Sequence, residues 1–533
     1  MATTEAGEPD TRASEPRSPA RQRSLYFGVF GLMLGMFLGM LDGLIVGTAL
    51  PTIVGDLGGL DRLSWVVTAY LLATAASTPI WGKLGDMYGR KGSFMTAVVI
   101  FLAGSMLSGA AQDMNQLIAF RAVQGLGAGG LMVGALSIIG VLVPPRESGK
   151  LQSMLGVMMP VAYISGPLIG GFFTDHLSWR WVFYINAPLG AIALVVVGLG
   201  IRLNRERSKA KIDYSGATLL VTGVLALTLL STWGGNNYEW ISPEIVGLAA
   251  VAALSFAWFV RVEKRADEPL IPPRLFGDRN FTVVQVLSFL VGAVIFGATN
   301  YLPQYMQFVQ GMSPTASGML LLPLMFGMLA VQITVGRLIS KTGRYRIYPI
   351  LGGVFSVAGT LVLLLLRVDT PVALVSGLTL VLGLGLGFMM QSTVLITMNS
   401  AEPRDMGAAS GSVTLIRTLG GSLGVAALGA VYVNNLAEEL TARLGSAEGK
   451  QLSEDGNSMT PELLKAMPDR IRDAYEAAVT SGLQGTVIGA AALAVLMFGI
   501  SWLIREVPLR TETGQEPGGA TEEAEHAEKA GSA

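Results

Sequence analysis

The sequence predicts an all-α polytopic membrane protein of two six-helix bundles with two inserted helices, fourteen transmembrane helices in all. Three observations carry this prediction. Of 533 residues, 51% are hydrophobic and only 14% charged, with a mean hydropathy of +0.53. A surface facing water alone could not carry that composition. The apolar runs are each about 20 residues long, enough to cross ~30 Å of hydrocarbon. Finally, the stretch Gly82 to Lys91 returns, altered, as Gly336 to Tyr345 in the shared frame G-[KR]-L-x-x-x-x-G-R, 254 residues further on (82 to 336). A duplicated membrane unit usually means two bundles rocking about a central site.

The elements follow in order. Met1 to Arg23 is polar, carries Arg12, Arg17, Arg21 and Arg23, and has no apolar core. It is therefore not a signal peptide, and residues 1–24 are expected to be a disordered tail. Spans are expected near 25–50, 64–82, 93–112, 116–139, 151–173 and 181–201, forming an N-terminal bundle over 25–202. Two more, near 214–234 and 243–261, lie in an inserted segment, 203–280. The C-terminal bundle, 281–505, takes spans near 281–304, 315–338, 348–366, 371–399, 408–432 and 481–505. Residues 506–533 are rich in Glu, Gly and Ala and are expected to be a second disordered tail.

An even number of spans puts both termini on one side, and short-loop arginines and lysines choose that side. Lys83, Arg90, Lys91, Arg146, Lys150, Arg202, Arg265, Arg274, Lys341, Arg344 and Arg404 fall in alternate loops on the side of the N-terminal arginines, against Arg62, Arg180 and Arg367 opposite. Both termini are thus expected to be cytoplasmic, in a multi-pass protein of the cell membrane. One outer loop is long, 434–480. In it Thr460-Pro461 reads as a helix start, and Ile471, Tyr475 and Val479 form an apolar stripe at four-residue spacing. A short amphipathic helix on the outer face is expected there, or else a lid or partner-docking element.

Further echoes extend the duplication. Gly166-x-x-Ile169-Gly170 maps onto Gly420-x-x-Leu423-Gly424, Leu50-Pro51 onto Leu302-Pro303, and Pro145-Arg146-Glu147 onto Pro403-Arg404-Asp405. They match span 1 with 9, 3 with 11 and 5 with 13, which makes the repeats parallel about an axis along the membrane normal.

These residues carry a resemblance. Gly82 to Lys91 resembles the cytoplasmic loop motif of the major facilitator superfamily. Leu41-Asp42-Gly43-Leu44-Ile45-Val46-Gly47-Thr48-Ala49-Leu50-Pro51 resembles the first-span signature L-D-x-T-I-V-N-V-A-L-P of its fourteen-spanner drug:proton antiporter family, departing at Leu44, Gly47 and Thr48. Arg121-Ala122-Val123-Gln124-Gly125 resembles the fourth-span R-x-x-Q-G motif, and Gly156 with Gly166-Pro167-Leu168-Ile169-Gly170-Gly171 the fifth-span antiporter motif. The resemblance spans nearly everything from Leu25 to Arg505. It implies the major facilitator fold, proton-coupled antiport, multidrug efflux and a part in antibiotic resistance.

Asp42 is the one acidic side chain well inside an apolar span, and such a group is a functional hypothesis by default. It lies roughly 12 Å below the outer end of span 1, and Arg121 roughly 8 Å below that of span 4, at 1.5 Å per residue. Burial and a nearby cation act on a carboxyl in opposite directions. A carboxylate balanced between them can exchange protons, while the plainer alternative is a permanent ion pair that sets helix register. Asp86, on the glycine-bounded turn with Gly82, Gly89, Arg90 and Lys91, can pair with Arg90 and oppose a helix N-terminus across the bundle seam. That contact makes a gate latch, or alternatively a charged turn fixing topology. Gly166, Pro167, Gly170 and Gly171 permit close helix approach.

The expected substrate path comprises Gln124, Tyr163, Asn300, Gln304, Gln307, Gln391 and Arg417. Arg417, deep in span 13, faces either a cavity or backbone carbonyls. Met154, Met158, Met159, Met325, Met328, Met389 and Met390 form either a plastic wall or ordinary packing.

Other chemistry is missing from the sequence. No phosphate-cradling G-x-x-x-x-G-K-[ST] occurs, so ATP does not drive the chain. Gly383-x-Gly385-x-Gly387 sits in an apolar span and reads as helix packing. There is no Cys and only two His, in polar surroundings, so no metal site is expected. No nucleophile–base pair supports an enzyme. The expectation is a proton-coupled exporter of small amphipathic compounds, with the proton gradient as energy source, no cofactor, no nucleic-acid partner, the lipid bilayer as surroundings, and a monomeric state. The alternatives are a dedicated exporter of one endogenous lipid or secondary metabolite, or a non-transporting sensor or scaffold.

Overall fold

Fourteen helices cross or reach into one layer in the computed structural model, which describes residues 19–58, 62–143, 158, 161–162, 164–166, 168–174, 176–201, 203, 213–235, 238–454, 459 and 461–509. They are α1 (Pro19–Leu57), α2 (Leu63–Tyr88), α3 (Arg90–Ala110), α4 (Met114–Leu142), α5 (Ile164–Thr174), α6 (Trp181–Gly200), α7 (Tyr214–Trp233), α8 (Pro243–Glu263), α9 (Arg279–Phe308), α10 (Leu322–Thr342), α11 (Ile347–Leu363), α12 (Val372–Ser400), α13 (Met406–Leu444) and α14 (Asp469–Ser501). Among the described residues, eleven helices are long and apolar enough to span a bilayer; α5 and α11 are shorter and apolar. The remaining helix, α2, has the length, and its Thr74, Ser77 and Thr78 turn their hydroxyls back onto their own helix.

Helix ends follow local chemistry. Asp113, Asp213, Ser242 and Asp278 each accept an N–H of the first turn of α4, α7, α8 and α9, which satisfies donors that hydrocarbon cannot. In the first half α4 packs on α2 and α3, and α1 on α6; in the second, α9 packs on α13, and α12 on α10 and α11. Close helix approach here needs residues without a Cβ: one added at Gly127 would run into the Ala97 carbonyl and the Phe101 backbone of α3.

The inserted pair α7–α8 lies against the seam, with α7 touching both α2 and α13. Leu220 and Val224 of α7 share a buried cluster with Ala75 of α2 and Leu415 of α13. The segment after α8 is tied to both halves. Glu263 accepts the N–H groups of Leu270 and Ile271 at 3.1 and 3.0 Å, Lys83 pairs with Glu268 at 2.6 Å, and Arg274 grips Asp405.

Three expectations need correction. The segment 434–480 is not a loop with a helix lying on the outer face. α13 continues to Leu444, short helices follow at Ser446–Glu454 and Pro461–Lys465, and α14 begins at Asp469. At 39 and 33 residues, both exceed the length that crosses ~30 Å, so they project together beyond the span. The reason is a second stripe: Leu436, Leu440 and Leu444 recur at four-residue spacing and bury with Tyr475 and Val479 in one core. The stripe at 471–479 therefore belongs to the last membrane helix.

Secondly, the N-terminal tail is shorter than 1–24, since α1 starts at Pro19, where proline suits a first helical position; residues 1–18 lie outside the described residues. Thirdly, the segment after 505 begins with anchored residues. Glu506 accepts the N–H groups of Tyr345 and Arg346 at 2.9 and 3.2 Å, and Val507 donates to the Tyr345 hydroxyl at 3.0 Å. This pins the second copy of the repeated loop, which lacks a carboxylate at Ser340.

Candidate functional site

α1, α4 and α6 bring four polar side chains together inside the first bundle. Asp42 is fully buried and Arg121 is 1% exposed, and the guanidinium Nη1 lies 2.5 Å from Asp42 Oδ2. The other carboxylate oxygen, Oδ1, accepts Gln124 Nε2 at 2.7 Å and Asn186 Nδ2 at 3.2 Å. Gln124 lies three residues after Arg121, so one helix turn presents both to α1, and its Oε1 accepts from Arg121 Nη1 at 2.9 Å. Arg121 Nε donates to the Val66 carbonyl, and its guanidinium lies over the Tyr70 ring at 4.1 Å. Burial penalises every charge here, and the pairing with its added hydrogen bonds offsets that cost. Removing one partner leaves the other charge stranded.

Asn186 and Tyr70 were not singled out from sequence. Asn186 stands alone as an amide in the run Trp181 to Gly200, and that isolation was the available signal. Its partner Ser105, which accepts from it at 2.9 Å, is 81 positions away. Nearby, Gly166 and Gly170 set α5 against α1: an added Cβ would meet Leu44 Cβ at 2.8 Å and the Ile45 carbonyl at 2.9 Å. Gly171 faces open space. Gly156, Tyr163 and Pro167 lie outside the described residues, as do Met154 and Met159.

A second constellation joins α2 to α13 at the turn after α2. α2 ends at Gly89, whose φ of 102° is a conformation that favours glycine, and the chain turns at once into α3. The turn aims Asp86 at the start of α13, where Gly407 N and Ala408 N donate to its two carboxylate oxygens at 3.0 and 2.8 Å. Arg90 clamps the same carboxylate through Nε at 3.0 Å and Nη2 at 2.6 Å, and its Nη2 also reaches the Pro403 carbonyl. A carboxylate on a helix N-terminus meets both unsatisfied donors and the positive end of the dipole. Gly82 and Gly407 are in backbone contact beside it, and a Cβ on either would strike the other's carbonyl. Lys91 turns the other way and donates to the Gly198 and Ile201 carbonyls at the end of α6. In this structure α2 and α13 are in closed contact at this seam. Gly407→Val should wedge the seam open, raising labelling of a cysteine placed at Ser410 by about tenfold, since a shift of ~1.4 kcal/mol changes the open-to-closed ratio by that factor.

The polar residues of the second half are not gathered into one constellation. Asn300 is exposed and donates to the Phe296 carbonyl of its own helix at 2.7 Å, and Gln307 bonds Ser317 at 3.1 Å. Gln304 is half-buried. Gln391 on α12 and Arg417 on α13 are buried, at 3% and 8% exposure; Gln391 Nε2 and Arg417 Nε have no hydrogen-bond partner, and Arg417 Nη2 makes one bond, to Thr393 Oγ1 at 3.3 Å. Met325, Met328 and Met389 are buried in the core of this half, with Met390 packed against it, and Met158 packs on the core of the other.

The sequence model of the Major Facilitator Superfamily matches residues 32–425. The chain belongs to the major facilitator superfamily. A superfamily relative in Bacillus subtilis, Multidrug resistance protein 3, is 36% identical over 472 residues, covering 86% of this chain and 92% of that protein. An uncharacterized MFS-type transporter of Mycobacterium tuberculosis is 38% identical over 493 residues, or 92% of this chain and 71% of that protein. Among solved structures, the proton:xylose symporter XylE superposes with a TM-score of 0.59 over 93% of this chain and 99% of its own, at 14% identity. That likeness shows the fold. The chain is a fourteen-helix major facilitator protein, a multi-pass membrane transporter whose relatives include efflux pumps.

Proposed function

We propose that the protein is a proton-coupled antiporter that exports amphipathic organic compounds across the cell membrane by alternating access, with both termini cytoplasmic, as a monomer and with no cofactor. The observation that carries this reading is the buried Asp42 held by Arg121, Gln124 and Asn186. It is an ionisable group at membrane depth whose neighbours can hold or release it, and such groups mark proton relays. The name of the Bacillus relative supports the export of drugs. On this reading, residues 25–202 and 281–505 are the rocking bodies, Asp42 with Arg121 exchanges the proton, and Asp86 with Gly82, Gly89, Arg90 and Lys91 latches the inner gate. Gly166 and Gly170 let α5 slide on α1. The α7–α8 pair, bound to both bodies, moves with the seam.

The test is purified protein in liposomes enclosing a pH-sensitive dye and carrying no gradient. Adding a transported compound to one side is expected to drive protons the opposite way, at a rate set by the compound's concentration. Transport of the compound with no proton movement would make the protein a uniporter and overturn the coupling.

A further inference from the structure

The two bundles treat their buried arginines differently. Arg121 has a carboxylate, an amide, a backbone carbonyl and an aromatic face around it. Arg417 has one bond, to Thr393 Oγ1 at 3.3 Å, and a buried Nε with no partner. Among the described residues no acidic side chain pairs with it, and the sequence offers none well inside any apolar span but Asp42.

Arg417 is eleven residues into α13 (406 to 417), roughly 16 Å along the helix. That is too deep to snorkel to either interface. Nor can the helix withdraw, because the Arg417 carbonyl is pressed against Gly292 of α9, where a Cβ would collide with it. The side chain instead reaches across to α12, a helix that meets α13 less closely than α9 meets either. A buried guanidinium left short of acceptors is a half-built recognition site. What it lacks is an anion.

We propose that Arg417, with Thr393, binds the anionic group of the transported compound, so that the substrate class is amphipathic carboxylates or sulfonates. This rests on the exporter reading and deepens it. The planar guanidinium takes two oxygens of a carboxylate in parallel bonds, and it would gain in the bound state the acceptors it lacks when empty. Proton and substrate charge then sit in different bundles, Asp42 in the first and Arg417 in the second, and are linked through the rocking motion instead of by competition for one carboxylate.

The experiment is equilibrium binding to the full chain in phosphatidylcholine nanodiscs, with partition into empty nanodiscs subtracted and no gradient present. The probes are amphipathic carboxylates each paired with its methyl ester, with dansylglycine as the fluorescent member. The unmodified protein is expected to bind the carboxylates more tightly than the esters. Arg417→Gln should lose at least about tenfold affinity for the carboxylates while holding the esters within about twofold, the scale of a lost charged hydrogen bond. Retained ester binding shows that the variant is folded. Arg417→Lys should fall between, since lysine keeps the charge without the planar fork.

If phosphatidylglycerol added to the nanodiscs competes in the unmodified protein, the anion is a lipid headgroup; if it does not, the anion is a free organic acid. Either supports the site. Equal affinity for carboxylate and ester across the panel, or equal weakening of both by Arg417→Gln and Arg417→Lys, overturns it. Because no gradient is used, a failure of proton coupling leaves this outcome untouched, and the reverse holds too.

Discussion

Asp42→Asn is expected to lower gradient-driven export by about 100-fold, with the protein still inserted and still able to bind its compounds. The amide keeps the size of the carboxylate but cannot exchange a proton. It also leaves Arg121, 1% exposed, facing a neutral group, and removing one partner of a buried pair costs about 3–5 kcal/mol. Part of that loss falls on stability, and the pairing of Gln124 and Asn186 with the new amide oxygen recovers some of it. Export without coupling separates the two effects. Downhill movement of the compound should persist in the Asp42→Asn variant while uphill movement driven by a pH gradient disappears. Full uphill export by a normally inserted variant would end the assignment of the proton to Asp42. If Asp42 and Arg121 merely set helix register, a double substitution to a neutral pair, Asp42→Asn with Arg121→Gln, would restore uphill export.

Asp86→Asn is expected to open the inner gate. The carboxylate accepts two N–H groups of α13 and two contacts from Arg90, and a charged group on a helix N-terminus with such bonds contributes about 1–2 kcal/mol. Losing most of it moves the balance of closed and open inner faces by roughly tenfold at ~1.4 kcal/mol per decade. The chain contains no cysteine, so a single one at Ser410, buried at the closed seam, reports opening without background. Its labelling from the cytoplasmic side should accelerate about tenfold in the variant, and export should slow because the cycle rests in the wrong state. Unchanged labelling would reduce Asp86 to a topological charge. Ser340→Asp in the second copy is expected to change little, because Glu506 already serves the N–H groups of Tyr345 and Arg346 there.

How far residues alone led depended on what each signal measured. Asp42 was conspicuous because a carboxylate in an apolar run has no ordinary explanation in hydrocarbon. Arg121 followed from matching depth on a helix expected to neighbour it. Asn186 had neither charge nor motif, and only the packing of α6 against α1 and α3 brings its amide to Asp42 and Ser105. The Asn300, Gln304 and Gln307 spacing was a true helical face. Yet the structure satisfies Asn300 within its own helix and Gln307 at Ser317, since an amide in hydrocarbon takes the nearest acceptor. The stripe at Ile471, Tyr475 and Val479 is a true apolar face, but it belongs to α14 and not to a separate surface helix. Its partner, the Leu436, Leu440 and Leu444 stripe, lay in what looked like the same loop.

By itself the sequence determined the membrane class, the helix count, the duplication, the breaking of its symmetry at Asp86 and Ser340, and the one deep carboxylate. These are decided by local hydropathy, helix periodicity and the cost of charge in lipid, all of which act along a single chain segment. Only the tertiary structure decided which groups meet: Asp42 with Asn186, Asp86 with the amides of Gly407 and Ala408, Glu506 with the second loop, and Arg417 with almost nothing. Those contacts join positions up to hundreds of residues apart, and no local preference encodes them. They arise because apolar burial brings the helices together and each buried polar group then has to find whatever partner the packing leaves within reach.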